Sequence, residues 1–247
     1  MRDIIWQSFL SSMAGGILSL DRTAAMQIMV SRPLVAAPVT GYIFGDVVTG
    51  LFIGLLLELL CIGGLPIGGH IPSHEIILTV IITAVSIAGH KVLSSADHAV
   101  FQWISVDAGV FIAVGFAILL ISPMDIICRK VDAAARVLNV RFFNKALADI
   151  DKGVFRGIGM NNLKGAAVFF ILNTSLLFVL SLAGVMLAYM LLPLLPAAVS
   201  ASLPLAVASA FIVGFAYSYS ILQSKRSMPV FLVATFFIIT VVVVMSR

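Results

Sequence analysis

Residues 32–75 read RPLVAAPVTGYIFGDVVTGLFIGLLLELLCIGGLPIGGHIPSHE, and no other stretch constrains the fold as tightly. The run is apolar enough to lie within a membrane, yet it carries Asp46, Glu58 and Glu75 with no Lys or Arg between Pro33 and His90. Glycines and the prolines Pro66 and Pro72 fall where a long helix would otherwise continue. A carboxylate is costly in hydrocarbon, and interrupted backbone is tolerated there only where protein or a water-filled cavity covers it. Acidic groups beside broken backbone at membrane depth are the pattern of a substrate pathway.

The rest of the chain agrees with a membrane setting. Of 247 residues, 61% are hydrophobic and 11% charged, against about 25% charged in soluble domains. Several runs approach the roughly 18 apolar residues that span a bilayer. The first, residues 4–20, is followed by no small-residue cleavage site and is expected to be retained as a short helix. The net charge of +4 does not indicate a nucleic-acid partner, because eight of the fifteen basic residues lie between Arg129 and Lys164. Such clustering marks a cytoplasmic loop. Cys61 and Cys128 stand alone in apolar contexts and build neither a disulfide framework nor a metal site.

In chain order, a polar connector at 21–32 leads to Arg32-Pro33, which suits a helix start because the missing proline N–H has no partner there anyway. Residues 34–60 exceed one span and are read as two segments with a break near Asp46 to Gly50. The pairs Gly41/Gly45 and Gly50/Gly54 each place small residues on one helical face, allowing close packing. Residues 63–72 hold four glycines and two prolines, so a re-entrant hairpin is expected there, followed by an apolar run at 76–88. A polar connector at 90–102 and a span at 104–121 come next.

Residues 122–164 change character. Asp125/Arg129, Asp132/Arg136 and Lys145/Asp149 are opposite charges four apart, and Ile127, Val131, Ala134 and Leu138 recur at helical spacing. One or two amphipathic helices at the inner membrane surface are expected, with the apolar stripe against lipid or the transmembrane body. Spans at 166–192, 203–222 and 229–245 complete the chain. The predicted fold class is an all-α polytopic membrane protein with a re-entrant hairpin and a basic cytoplasmic arm. It divides into an N-terminal transmembrane region (1–121), the arm (122–164) and a C-terminal transmembrane region (165–247).

Among candidate site residues, Glu58 has two readings. A buried carboxylate can accept from vicinal sugar hydroxyls, or it can cap the broken backbone of the hairpin. Asp46 follows Gly45 at the predicted break, where a carboxylate accepts from the free N–H groups of a helix start. Thr49 and Glu75 are assigned to structure or pathway beside it. Gly68 and Gly69 let a ligand approach the backbone closely. His70, His74 and Glu75 form a poor metal cluster, since Pro72 breaks the alignment and a fourth ligand is missing. No nucleophile–base pair, nucleotide loop or zinc motif occurs.

Taken together, Arg32-Pro33-Leu34, Gly45-Asp46, Thr49-Gly50, Gly54, Leu57-Glu58-Leu59 and Leu65-Pro66-Ile67-Gly68-Gly69, through Ala88-Gly89-His90, resemble the membrane subunit IIC of the mannose–fructose–sorbose phosphotransferase family. The resemblance covers roughly the first third of the chain, with Met228-Pro229 a looser match. It implies a sugar-translocating subunit in the bacterial cytoplasmic membrane, oligomeric, partnered by a membrane subunit IID and by the phosphocarriers IIA and IIB. Such a subunit carries no phosphohistidine or cofactor of its own, and holds a hexose-type sugar for phosphorylation by IIB. The candidate substrate site comprises Glu58, Pro66, Gly68, Gly69, His70, Ser73 and His74. His74 stands where relatives carry an Asp, and His70 where they carry a small residue. A cation- or proton-coupled carrier and a non-transporting scaffold are the alternative functions.

Overall fold

In this computed structural model residues 2–25, 27–62, 74–94, 108–154 and 157–221 are described, and every regular element among them is helical. The expected hairpin at 63–72, with Pro66, Gly68, Gly69, His70 and Ser73, lies outside these residues, as do the span at 229–245 and most of the connector at 90–102.

Helix α1 (Arg2–Thr23) runs three residues past the expected end of the first span. Three of its buried serines bond back to their own helix. Ser11 and Ser12 donate to the Ser8 carbonyl at 3.1 and 2.6 Å, and Ser19 to that of Gly16 at 2.7 Å. Helices α2 (Pro33–Phe44) and α3 (Val47–Cys61) then form a helical hairpin. At 1.5 Å per residue they are only about 18 and 22 Å long, shorter than a hydrocarbon core of about 30 Å. A hairpin of re-entrant size therefore sits just upstream of the stretch in which it was expected.

The break falls where the sequence predicts. Gly45 ends α2 in the left-handed conformation at φ 85°, and Asp46 caps α3. Gly45 is thus a turn residue and not a packing residue, whereas Gly41, Gly50 and Gly54 do form the seam. A Cβ on Gly41 would stand 2.5 Å from the Asp46 carbonyl oxygen and 3.1 Å from the Gly50 Cα. One on Gly50 would stand 2.7 Å from the Ala37 carbonyl oxygen. Backbone meets backbone along this seam, as small residues permit in lipid.

Helix α4 (Glu75–Leu93) is the centre of the bundle and packs against α1, α2, α3, α5 and α7. Its side chains from Ile76 to Gly89 are almost all buried, and its hydroxyls at Thr79, Thr83 and Ser86 each donate to the carbonyl four residues earlier. The helix continues past the expected end at 88 through Lys91. That ammonium donates to the Phe44 carbonyl at 2.7 Å and so fastens the hairpin tip to α4.

Helix α5 (Ala108–Ile121) ends in a short 3-10 turn at Ser122–Met124, followed by α6 (Asp125–Asp151). Helix α7 (Ile158–Leu191) passes through a second such turn at Leu192–Leu194 toward α8 (Ala197–Ile221). Helix α7 is about 51 Å long at 1.5 Å per residue and outreaches the bilayer, so its first turns remain available to pack against α6. The boundary expected at 164/165 therefore falls inside one continuous helix.

The arm is a single helix, and of the two placements expected for its apolar stripe the outward one is seen. Cys128, Asp132 and Ala135 are buried, while Ile127 and Leu138 are about 40% exposed. The small side chains of Cys128 and Ala135 admit close approach, whereas the branched stripe is left outward. Asp125–Arg129 and Asp132–Arg136 close as ion pairs at 3.0 and 3.1 Å. Lys145 and Asp149 form none. Four helical stretches among the described residues are long and apolar enough to cross a membrane, namely Glu75–Leu93, Gly109–Asp151, Ile158–Leu194 and Ala197–Tyr219.

Candidate functional site

The chemistry concentrates at the base of the hairpin. A turn between α1 and α2 delivers Arg32, and Asp21 holds that turn. Its Oδ1 accepts from Ile28 N at 2.7 Å and its Oδ2 from Ser31 N at 3.2 Å. Gln27 and Met29 adopt φ 56° and 65° within the turn, conformations that cost L-residues about 1 kcal/mol or more and persist only where surroundings impose them.

Arg32 is the N-cap residue of α2 and lies among carboxylates from two other elements. Its Nε and Nη2 are 2.8 and 2.6 Å from Oε1 of Glu58, in the last turns of α3. Its Nη1 is 3.6 Å from Oε2 of Glu75, the first residue of α4. The second oxygen of Glu58 accepts from Leu34 N at 3.2 Å. One side chain of α3 thus answers both the guanidinium and a free N–H at the start of α2. The hairpin backbone at 63–72 that Glu58 was expected to cap lies outside the described residues, and the cap seen here is on α2.

Glu75 differs. Its side chain is 13% exposed, its ion pair with Arg32 is long, and the positive charge of Arg22 also acts on it. A carboxylate with no side-chain hydrogen bond among the described residues has acceptor capacity left for another donor.

His74 precedes it as N-cap of α4, with its ring 2% exposed. The His74 N–H donates to Oδ1 of Asp125 at 3.1 Å, and Oδ2 of Asp125 meets Arg129. His74 Nδ1 is buried without a hydrogen-bond partner. His74 therefore ties the start of α4 to the start of α6. Arg22, at the end of α1, lies within electrostatic range of Asp132, Glu75 and Asp125.

The structure thus brings Glu58, His74 and Glu75 to one end of the bundle and places Asp46 and Thr49 at the other. Asp46 Oδ1 accepts from Thr49 N at 2.9 Å, the expected cap. Among the described residues no group of three His, Cys, Asp or Glu side chains could hold a metal ion. Sequence reading missed Arg32 as a hub and Asp125 as a partner for α4. The one available signal was that Arg32 is the last cation before a 58-residue gap in which three carboxylates need charge partners.

Comparison with known proteins points one way. The sequence model of one family, described as the sorbose-specific IIC component of the phosphotransferase system, matches residues 5–246. A mannose-specific EIIC component of Escherichia coli (strain K12) is 37% identical over 60 residues, 24% of this chain and 23% of that protein. The corresponding protein of Shigella flexneri matches to the same extent. The chain thus aligns to about a quarter of the length of these curated relatives. Among solved structures, a mannose transporter ManYZ complex with microcin E492 aligns at TM-score 0.58 and 21% identity, covering 96% of this chain and 86% of that one. A chain described only as a membrane protein aligns at TM-score 0.68 and 22% identity, covering 98% and 94%. These two likenesses establish the shared fold.

Proposed function

We propose that this chain, which belongs to the family of sorbose-specific IIC components of the phosphotransferase system, is the sugar-translocating permease subunit of such a system. It binds a hexose-type sugar in the inner membrane and presents it to a IIB partner for phosphorylation. It works with a IID membrane subunit and a IIA phosphocarrier, and it transfers no phosphate itself. Mannose, the sugar in the names of the aligned relatives, is the first substrate to test.

The observation that carries this reading is the position of Glu58 and Glu75 around Arg32, at the same end of the bundle as the basic arm. By the positive-inside rule that end is cytoplasmic. A carboxylate with spare acceptor capacity there suits a sugar held within reach of a cytoplasmic phosphocarrier, because charge-assisted bonds to hydroxyls are among the stronger neutral-ligand contacts. Glu75 is the better substrate-facing residue of the two, since Glu58 is committed to Arg32 and to Leu34 N. Pro66, Gly68, Gly69, His70 and Ser73 belong to the same proposed site.

The test is phosphoenolpyruvate-dependent accumulation of sugar phosphate in vesicles holding this chain with IID, supplied with IIA and IIB. Accumulation that disappears on omitting IID or IIB supports the proposal. Uptake by this chain alone in response to a pH gradient would establish the proton-coupled alternative. Assembly without uptake of any sugar would establish the scaffold.

A further inference from the structure

Where α6 lies along the first turns of α7, the two helices and Ala24 line an open pocket of about 390 Å³. Asn139, Phe142 and Phe143 of α6 line it, together with Asn161, Gly165 and Phe169 of α7. It is separate from the Arg32 cluster and shares no residue with it. None of its lining residues is charged, although Arg141, Lys145, Asp149 and Lys164 lie on the same two helices. A ligand that enters it is neutral over the part that enters.

Two amide atoms in this wall are buried without partners. Asn161 is 5% exposed and its Nδ2, a donor, bonds to nothing. Asn139 donates its Nδ2 to the Gly165 carbonyl at 3.1 Å, which leaves its Oδ1, an acceptor, unmet. An unmet buried group is costly, and such groups in native proteins call for an explanation.

A hydroxyl carries both complementary functions, since it can accept from an amide N–H such as that of Asn161 and donate to an amide oxygen such as that of Asn139. The volume far exceeds the roughly 30 Å³ share of one water and lies within the roughly 300–1,000 Å³ of small-molecule sites. Phe142, Phe143 and Phe169 supply flat apolar walls, which suit the C–H face of a ring or a glyceride chain.

We propose that the pocket between α6 and α7 binds a neutral, hydroxyl-bearing molecule with an apolar face, a free sugar or the glycerol end of a lipid. Native mass spectrometry of the delipidated full chain, with mannose and 1,2-dioctanoylglycerol as probes, tests this. A one-to-one adduct is expected with one of them. It should weaken at least tenfold in Asn161→Leu and persist in Glu75→Gln. Ala166→Phe fills the pocket from α7 while leaving both amides in place. It should weaken the adduct as well, and it decides the matter if Asn161→Leu does not fold. An adduct with dioctanoylglycerol alone identifies a lipid site, and one with mannose alone a sugar site. Absence of any one-to-one adduct, or an adduct indifferent to both pocket variants, overturns the proposal and leaves the amides to water.

Discussion

Arg32 and Glu58 stand 26 positions apart in the chain, and they close the open end of the α2–α3 hairpin with contacts of 2.6 and 2.8 Å to a single carboxylate oxygen. Glu58 also caps α2 through Leu34 N, so the pair does two jobs with one carboxylate. Arg32→Ala leaves Glu58 and Glu75 facing each other with no cation between them. Hydrogen bonds to charged groups contribute about 1.5–3 kcal/mol each, and the side chains are only partly buried, so a loss of about 2 kcal/mol is expected. It is read as a lowered melting temperature in detergent. In the double variant Arg32→Ala/Glu58→Ala the losses should fall short of additive by 0.5 kcal/mol or more, the signature of residues in direct contact. Strict additivity would show that the pair is not coupled.

The glycine seam gives a second prediction. In Gly50→Ala the new methyl would lie 2.7 Å from a backbone oxygen, and in Gly41→Ala 2.5 Å. Backbone cannot rotate away as a side chain can, so the hairpin must open. Each substitution should cost about 1–3 kcal/mol, the usual range for overpacking, and reduce yield of folded protein. Gly159→Ala, in the first turn of α7 with nothing within 4 Å of the added Cβ, should change the melting temperature little. Equal effects at Gly159 and Gly50 would remove the packing explanation.

Much of this arrangement is legible in the residues themselves. The hairpin break is announced by Gly45-Asp46, because a left-handed turn residue followed by a carboxylate caps one helix and starts the next. The start at Pro33 follows from its missing N–H. What escapes the sequence is long-range. That Glu58 meets Arg32, and that His74 N meets Asp125 across 51 positions, depends on which helix ends share a membrane level, and periodicity carries no such information. The arm shows the same limit. Its apolar stripe could face lipid or the transmembrane body, and only the packed helices show that the small residues Cys128 and Ala135 face inward.

Asp46 separates a structural from a transport role cleanly. Its carboxylate accepts from Thr49 N at the hairpin tip, the opposite end from Glu75. Asp46→Asn retains a capping oxygen and should keep both stability and sugar uptake, whereas Asp46→Ala should lose about 1 kcal/mol of stability. Uptake per folded molecule, measured alongside the melting temperature, checks this. A collapse of uptake in Asp46→Asn with unchanged melting would move Asp46 into the transport pathway.

Glu58 and Glu75 give the most discriminating comparison, because the same substitution should act on different observables. Glu58→Gln removes the charge that Arg32 binds and leaves one amide oxygen to serve either Arg32 or Leu34 N. Its effect should appear mainly as lowered stability. Glu75→Gln breaks a long 3.6 Å ion pair and removes one of several charges near Arg22, so the fold should hold. If Glu75 accepts from sugar hydroxyls, neutralising it weakens a charge-assisted bond, and sugar affinity should fall about tenfold, equivalent to about 1.4 kcal/mol. The assay is equilibrium binding of the sugar to the assembled membrane complex, with the melting temperature of each variant recorded in the same preparation. The reverse pattern, with affinity lost in Glu58→Gln at unchanged stability and retained in Glu75→Gln, would transfer the substrate role to Glu58. The long contact between Glu75 and Arg32 would then be only the residual charge balance of a structural cluster.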